Sequence, residues 1–458
     1  MWKLVIPALA VALTGCGGGG EGGSSAGNSI STANNDIPAI SILVTAGTIS
    51  TPSAFVPSLA AGKFDHTGDQ YVIVSGWLAN SSPASTVKIY RLPGTGPRPQ
   101  WGTGTITDAT ADVLGSEFAW SVNYPQIADF NRDGVDDIFF PGFTDGPNLL
   151  QNNASVVFLS RAGQSHQRVD LAGLTWNHGT TVLDANRDGW PDVLNSNGEM
   201  WINNQTGGFT YRPKDTSLTI NYPLAGSGVC AGDLDGSGAT QVVLTDQVRM
   251  HASQLIYKLN VNMEPIYQGA LPVPYFDKNN TNTTTNRSHD VSCQIVDVNG
   301  DGRQDVVVVS YLSDTAVTRV IGAQSMVQIY YNLGGYVFSD ATDISMTGYN
   351  QGAVASYTPK VVDFNGDGHA DIWLMNTNRA ESGNQVWLND GTGKFKQSRK
   401  QDFDTLTGQH AVLNSVESNT SGIMLPVKIN DKWNFIIATV SDLKHTVYVA
   451  YARTQWSF

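Results

Sequence analysis

The chain has 458 residues, 41% of them hydrophobic and 9% aromatic, with 27 Lys and Arg against 40 Asp and Glu, a formal net charge of -13. So large an apolar share excludes a disordered acidic chain and supports a sizeable buried core. The acidic balance excludes a nucleic-acid partner, whose phosphates require a basic face.

Met1 to Cys16 reads MWKLVIPALAVALTGC: one Lys, an apolar run from Leu4 to Leu13, then small residues. That run is too short to span a bilayer and has the make-up of a signal-peptide core. Leu13-Thr14-Gly15-Cys16 resembles the lipobox of bacterial lipoproteins, which implies removal of residues 1–15 and lipidation of Cys16. Gly17, rather than Asp, after the Cys implies by the same resemblance the outer membrane. The expected place is therefore the bacterial cell envelope, on the surface or periplasmic side, with the lipid anchor as the sole membrane contact. Residues 16–36 continue as a Gly/Ser-rich stretch that behaves as a flexible tether. The folded part is expected over 37–458.

An internal repeat organises that part. DFNRDGVDDIFF from Asp129, DANRDGWPDVLN from Asp184, DLDGSGATQVVL from Asp233, DVNGDGRQDVVVV from Asp297 and DFNGDGHADIWLM from Asp363 align without gaps. A degenerate copy starts at Lys63 and a last one, without loop ligands, near Lys428. Each acidic loop lies between two apolar, Val/Ile-rich stretches that read as buried strands. Further on come hairpins with Gly turns, as in EMWINNQTGGFTYR and QVWLNDGTGKF. Four strands per copy predict an all-β fold, a seven-bladed β-propeller. The orphan strand Ala39 to Ile49 is expected to close the last blade and cover its edge.

The repeated loop has the ligand logic of a shortened EF-hand, with oxygen donors at positions 1, 3, 5 and 9, a carbonyl at 7 and Gly at 6. In order of position the sets are Asp129, Asn131, Asp133, Val135 and Asp137, then Asp184, Asn186, Asp188, Trp190 and Asp192. The later copies offer Asp297, Asn299, Asp301, Arg303 and Asp305, then Asp363, Asn365, Asp367, His369 and Asp371. The loop between them in chain order offers Asp233, Asp235 and Ser237, but Gln241 at position 9 makes it the weakest. Hard oxygens suit Ca²⁺, so four to five structural calcium ions are expected, with no open catalytic position.

These D-x-N-x-D-G-x-x-D loops, with the WLNDGTGKF-type hairpin, resemble the VCBS/FG-GAP repeats of integrin α-subunit propellers. Similar repeats occur in bacterial surface proteins, some fungal lectins and some polysaccharide lyases, so the resemblance speaks for fold and calcium and leaves function open. It also implies that the residues before each loop line the opposite rim of the central channel. There stand Trp120, Asn123, Tyr124, Trp176, His178, His289, Asp290 and Tyr357. Aromatic faces beside His, Asn and Asp are what a sugar site uses, although Trp and Tyr also serve as plugs and wedges between blades.

His178, His289 and Asp290 have the chemistry for proton transfer, yet none stands in a catalytic motif. The favoured reading is a calcium-stabilised surface propeller that binds a glycan or an envelope or extracellular protein, in adhesion or recognition. A polysaccharide lyase or hydrolase, and a structural part of an envelope assembly, are the alternatives. Cys230 and Cys293 lie three and four residues before their loops, and this one-residue offset favours two buried thiols over a disulfide.

Overall fold

A computed structural model describes residues 39–40, 46–50, 58–75, 87–92, 107–116, 125–142, 154–173, 179–196, 198–213, 226–246, 254–273, 288–312, 325–346, 360–363, 365–374, 385–397, 421–429, 432–441, 446–453 and 456–457. The signal, lipidation and linker expectations, Cys16 included, fall outside them. Among the described residues no helix is long and apolar enough to cross a membrane.

Two short strands come first, β1 (Ala39–Ile40) and β2 (Ala46–Ser50). Blade 1 follows with β3 (Ser58–Gly62), β4 (Gln70–Ser75), β5 (Lys88–Leu92) and β6 (Thr107–Asp108), and a helical turn α1 (Thr110–Leu114). Blade 2 holds β7 (Gln126–Ala128), β8 (Asp137–Phe140), β9 (Val156–Arg161) and β10 (Gln164–Asp170). Blade 3 holds β11 (Thr180–Leu183), β12 (Asp192–Asn195), β13 (Met200–Asn203) and β14 (Phe209–Arg212). Blade 4 holds β15 (Gly226–Gly232), β16 (Gln241–Asp246), β17 (Leu255–Leu259) and β18 (Pro265–Ala270). Blade 5 holds β19 (Ser288–Val296), β20 (Asp305–Leu312), β21 (Ser325–Asn332) and β22 (Phe338–Asp340), with a second turn α2 (Thr342–Ser345). Blade 6 holds β23 (Lys360–Val362), β24 (Asp371–Leu374), β25 (Gln385–Asn389) and β26 (Phe395–Gln397). The chain ends in β27 (Ser421–Ile429), β28 (Lys432–Ser441), β29 (Thr446–Arg453) and β30 (Trp456–Ser457).

Each blade is an antiparallel sheet of four consecutive strands. First strands of successive blades adjoin: β3 with β7, β7 with β11, β11 with β15, β15 with β19 and β19 with β23. They form the inner wall of a β-propeller. The expectation of a seven-bladed propeller is corrected here: among the described residues six blades of this kind are present. The copy near Lys428 does not make a self-contained one. It contributes three long strands, β27 to β29, and takes its fourth, β2, from the start of the chain, with β27 beside β3. Its sequence lacks the acidic turn, and among the described residues it adds no fourth strand of its own to that sheet, so an edge is left that β2 covers. The expected single strand Ala39 to Ile49 is also divided. β1 pairs with β30, and β2 pairs with β29.

Blade stacking explains why the second strands read as unbroken apolar runs. Successive side chains on a strand point to opposite faces, and here both faces are covered by neighbouring blades. In β20, Val306 and Val308 pack towards blade 4 with Val243 and Ile256. Val307 and Val309 pack towards blade 6 with Ile372 and Trp387. Likewise Ile138 and Phe140 of β8 join the cluster shared with blade 1, and Phe139 joins Trp201 of blade 3.

The same alternation corrects the reading of the cysteines. Cys230 of β15 and Cys293 of β19 form a disulfide, with Cα atoms 5.6 Å apart, inside the cluster between blades 4 and 5. Equivalent positions in two blades point the same way round the ring. Residues that face each other must therefore differ by an odd offset, and the one-residue offset brings the sulfurs together.

Candidate functional site

Each acidic loop joins the first strand of a blade to the second and turns through left-handed backbone. At position 6 stand Gly134, Gly189, Gly238, Gly302 and Gly368, with φ of 85°, 86°, 73°, 84° and 91°. Position 4 is left-handed as well, occupied by Gly236, Gly300 and Gly366 but also by Arg132 (φ 58°) and Arg187 (φ 62°). A side chain there is strained, and glycine is not. Arg132 is held in place from outside: it lies over the Trp190 ring at 4.7 Å and donates to the Gly189 carbonyl of the next loop.

Positions 1, 3 and 5 gather round the turn. Asp129 accepts from the Asp133 and Gly134 amides at 3.1 and 2.9 Å, and Asn131 Nδ2 donates to Asp133 Oδ2 at 3.3 Å. Asp184, Asn186 and Asp188 repeat this, as do Asp363, Asn365 and Asp367. Asp297 accepts from the Gly300 and Gly302 amides, and Asn299 donates to Asp301. Trp190, Arg303 and His369 each donate their amide to the position-5 carboxylate, as Val135 does. Among the described residues no three His, Cys, Asp or Glu side chains converge as an ion-holding group.

Position 9 turns the other way. Asp137 is fully buried, with Oδ2 accepting from Phe130 N at 2.7 Å and Asn131 N at 3.1 Å, and Oδ1 from Ser160 N at 2.6 Å. Asp192 accepts from Ala185 and Asn203, Asp305 from Val298 and Asn332, and Asp371 from Asn389. These carboxylates tie the loop to the third strand of the same blade. Burial outweighs those bonds and pushes the carboxyls of Asp137, Asp192 and Asp305 up to about 6. In blade 4 the neutral Gln241 takes the same place, its Oε1 accepting from Leu234 and Asp235.

The third strand then reaches the preceding blade. Asn203, Asn332 and Asn389 end β13, β21 and β25, and each donates its side-chain amide to a loop carbonyl next door. Asn203 reaches Phe130 at 2.8 Å, Asn332 reaches Leu234 at 2.7 Å and Asn389 reaches Val298 at 2.7 Å. In the sequence these asparagines read only as hairpin signals. Their regular place, closing the third strand of blades 3, 5 and 6, each of which opens its second with Asp, is the cue.

In blade 4 Lys258 Nζ lies 2.5 Å from Asp235 Oδ2 and 3.1 Å from Ser237 Oγ. Burial opposes ionisation of Asp235, but Lys258, Ser237 and Tyr336 outweigh it and hold this carboxyl far below the usual range. Asp233 accepts from the Ser237 and Gly238 amides.

Of the rim residues, Trp120, Asn123, Tyr124, Trp176, His178 and Tyr357 lie outside the described residues. His289 and Asp290 are described by their backbone, near the start of β19 and paired with Tyr311 and Ser310. They therefore stand at the end of the inner strand away from its acidic loop.

A cavity of about 480 Å³, which the sequence did not disclose, opens between blades 1 and 2 at the loop end. Asp65, Asp112, Asp133, Arg161 and His166 are among its lining residues. His166 is 4% exposed, and burial holds its imidazole below the usual range. Its Nε2 faces the Asp136 carbonyl at 3.4 Å, whereas Nδ1 has no partner. A carbonyl only accepts, so the proton belongs on Nε2 and Nδ1 is left as a buried, unused acceptor. Such a group calls for a ligand or a water.

No curated protein matches the chain. Among solved structures, AofleA from Arthrobotrys oligospora is 9% identical with a TM-score of 0.38, over 78% of this chain and 90% of that one. The exotype rhamnogalacturonan lyase YesX is 12% identical with a TM-score of 0.40, over 78% of this chain and 61% of that one. The Aleuria aurantia lectin, a six-bladed β-propeller with a novel fucose recognition mode, is 9% identical with a TM-score of 0.36, over 76% and 97%. Residues 297–374 and 363–413 match the FG-GAP-like repeat family, a span that takes in the acidic turns of blades 5 and 6.

Proposed function

We propose that this chain is a recognition propeller: lipid-anchored through Cys16 in the outer membrane, stabilised by calcium, and binding a glycan or an envelope or extracellular protein, as in adhesion. The observation that carries the reading is the cavity between blades 1 and 2, lined by Asp65, Asp112, Asp133 and His166, whose Nδ1 is buried without a partner. Pockets with a few convergent polar groups are the default place for a ligand, and these groups favour one rich in hydrogen-bond donors. The rim with Trp120, Trp176, His178, His289 and Asp290 is the second candidate surface.

The loop donors fit calcium chemically. Two carboxylates, an amide oxygen and a main-chain carbonyl at positions 1, 5, 3 and 7 are the hard oxygens that ion takes. A bound ion would neutralise the carboxylates crowded at the turn, while position 9 holds the loop to its blade. The disulfide supports a place outside the cytoplasm, since such bonds persist in oxidising compartments.

A binding screen of purified protein against glycans and envelope extract, with and without calcium, tests the reading. Saturable binding lost in His166→Phe assigns the cavity, and loss in Trp120→Ala or Trp176→Ala assigns the rim. Polymer turnover abolished by His178→Ala or His289→Ala would replace recognition with catalysis. Capture of one envelope protein in fixed stoichiometry, without glycan binding, would make the chain an assembly component.

A further inference from the structure

Blades 1 and 4 depart from the other repeats at three positions at once. Each opens its second strand with Gln, Gln70 or Gln241, where blades 2, 3, 5 and 6 have Asp. Each ends its third strand in Leu, Leu92 or Leu259, where blades 3, 5 and 6 end in Asn. The residue before that Leu is basic, Arg91 or Lys258, where those three blades have the uncharged Ile202, Tyr331 and Leu388.

Both basic side chains reach into the acidic turn of their own blade. Lys258 bonds Asp235 and Ser237, the donors at positions 3 and 5. Tyr336 of blade 5 adds its hydroxyl to the same Asp235 oxygen at 2.6 Å. Arg91 donates to Asp69 and to Thr67 in the shorter turn of blade 1. In both turns one built-in cation stands against two carboxylates, Lys258 against Asp233 and Asp235 and Arg91 against Asp65 and Asp69. A metal entering blade 4 would have to displace Lys258 from two of the turn's oxygens, Asp235 Oδ2 and Ser237 Oγ. Arg303, which also pairs with a carboxylate of its own turn in blade 5, holds only Asp301 there and does so from the more exposed turn itself.

We propose that Lys258 and Arg91 are built-in cations that stand in for calcium in blades 4 and 1, so that the propeller takes four calcium ions, in blades 2, 3, 5 and 6. The inference rests on the calcium reading above. The replacement of Asp by Gln and of Asn by Leu belongs to the same exchange: a neutral amide can be buried beside Leu259 where a carboxylate needs donors all round.

The test is to count calcium on the full chain by native mass spectrometry at saturating calcium. Four ions are expected, and any other non-zero count overturns the inference. A count of zero would sink the calcium reading itself, so the two failures are distinct. The triple variant Lys258→Ile, Gln241→Asp, Leu259→Asn gives blade 4 the residues of blade 3 at these three positions, with Asp235 and Ser237 kept as oxygen donors, and is expected to take a fifth ion. A folded triple variant that stays at four overturns the inference. If that variant does not fold, the wild-type protein still decides by NMR: the Lys258 ammonium resonance should be unmoved by calcium, and a shift that saturates with the ion would overturn the inference.

Discussion

Asn389 at the end of β25 in blade 6 donates its side-chain amide to the Val298 carbonyl of blade 5, 2.7 Å away, and to the Ala370 carbonyl of its own blade at 2.9 Å. Its amide oxygen accepts from the Gly391 and Gly393 amides and shapes the hairpin. One buried side chain thus closes a turn and fastens two blades.

Asn389→Leu is nearly isosteric but leaves the Val298 carbonyl unpaired in the interior. It should destabilise the protein by ~1–3 kcal/mol, and Asn203→Leu and Asn332→Leu by similar amounts. Urea melts of the three variants check this. Unchanged midpoints would mean that apolar packing alone holds the blades.

The Cys230–Cys293 bond closes a long loop, with a sequence separation of 63. In the chain-entropy account its removal costs ~4 kcal/mol. Cys230→Ala with Cys293→Ala should therefore melt well below the wild type, and reductant should have no further effect on the variant. A reductant-sensitive variant would contradict the pairing.

Arg187 holds a left-handed backbone (φ 62°) at a place where three other loops have Gly. Arg187→Gly should stabilise by up to ~1 kcal/mol, the strain relieved being partly offset by the freer unfolded chain. Arg132→Gly should gain less or lose stability, because the contacts with Trp190 and Gly189 go with it. Paired thermal melts of the two variants give the order.

Calcium bound to the fold alone raises its stability, so chelation should lower the melting temperature. In chelator a pH dependence should then emerge. Asp137, Asp192 and Asp305 titrate near 6 when folded, against about 4 for a free carboxyl. The folded state holds extra protons between those values, so this contribution is complete below pH 4 and lost as pH rises through 6. Melting temperature in chelator should accordingly fall from pH 4.5 to pH 7. A rise over that range would show these carboxylates to be better satisfied when ionised.

The acidic turns, the flanking strands and the hairpins were legible because each is local. A turn needs Gly and Asp at set spacings, and a strand buried on both faces needs an unbroken apolar run such as Val306 to Val309. Chain order likewise carried the repeat. The rest depended on which residues of different copies meet. Cys230 reaches Cys293 because facing sheets present opposite faces, a parity that one strand cannot express. The asparagine ties cross from blade to blade, and Lys258 enters its turn from a strand some twenty residues further on. The sheet of β2 with β27 to β29 joins the two ends of the chain. Local sequence determined the pieces and their chemistry, and only the tertiary structure decided their partners. Those partners are set by the closing of a ring, which brings together residues that no spacing along the chain relates.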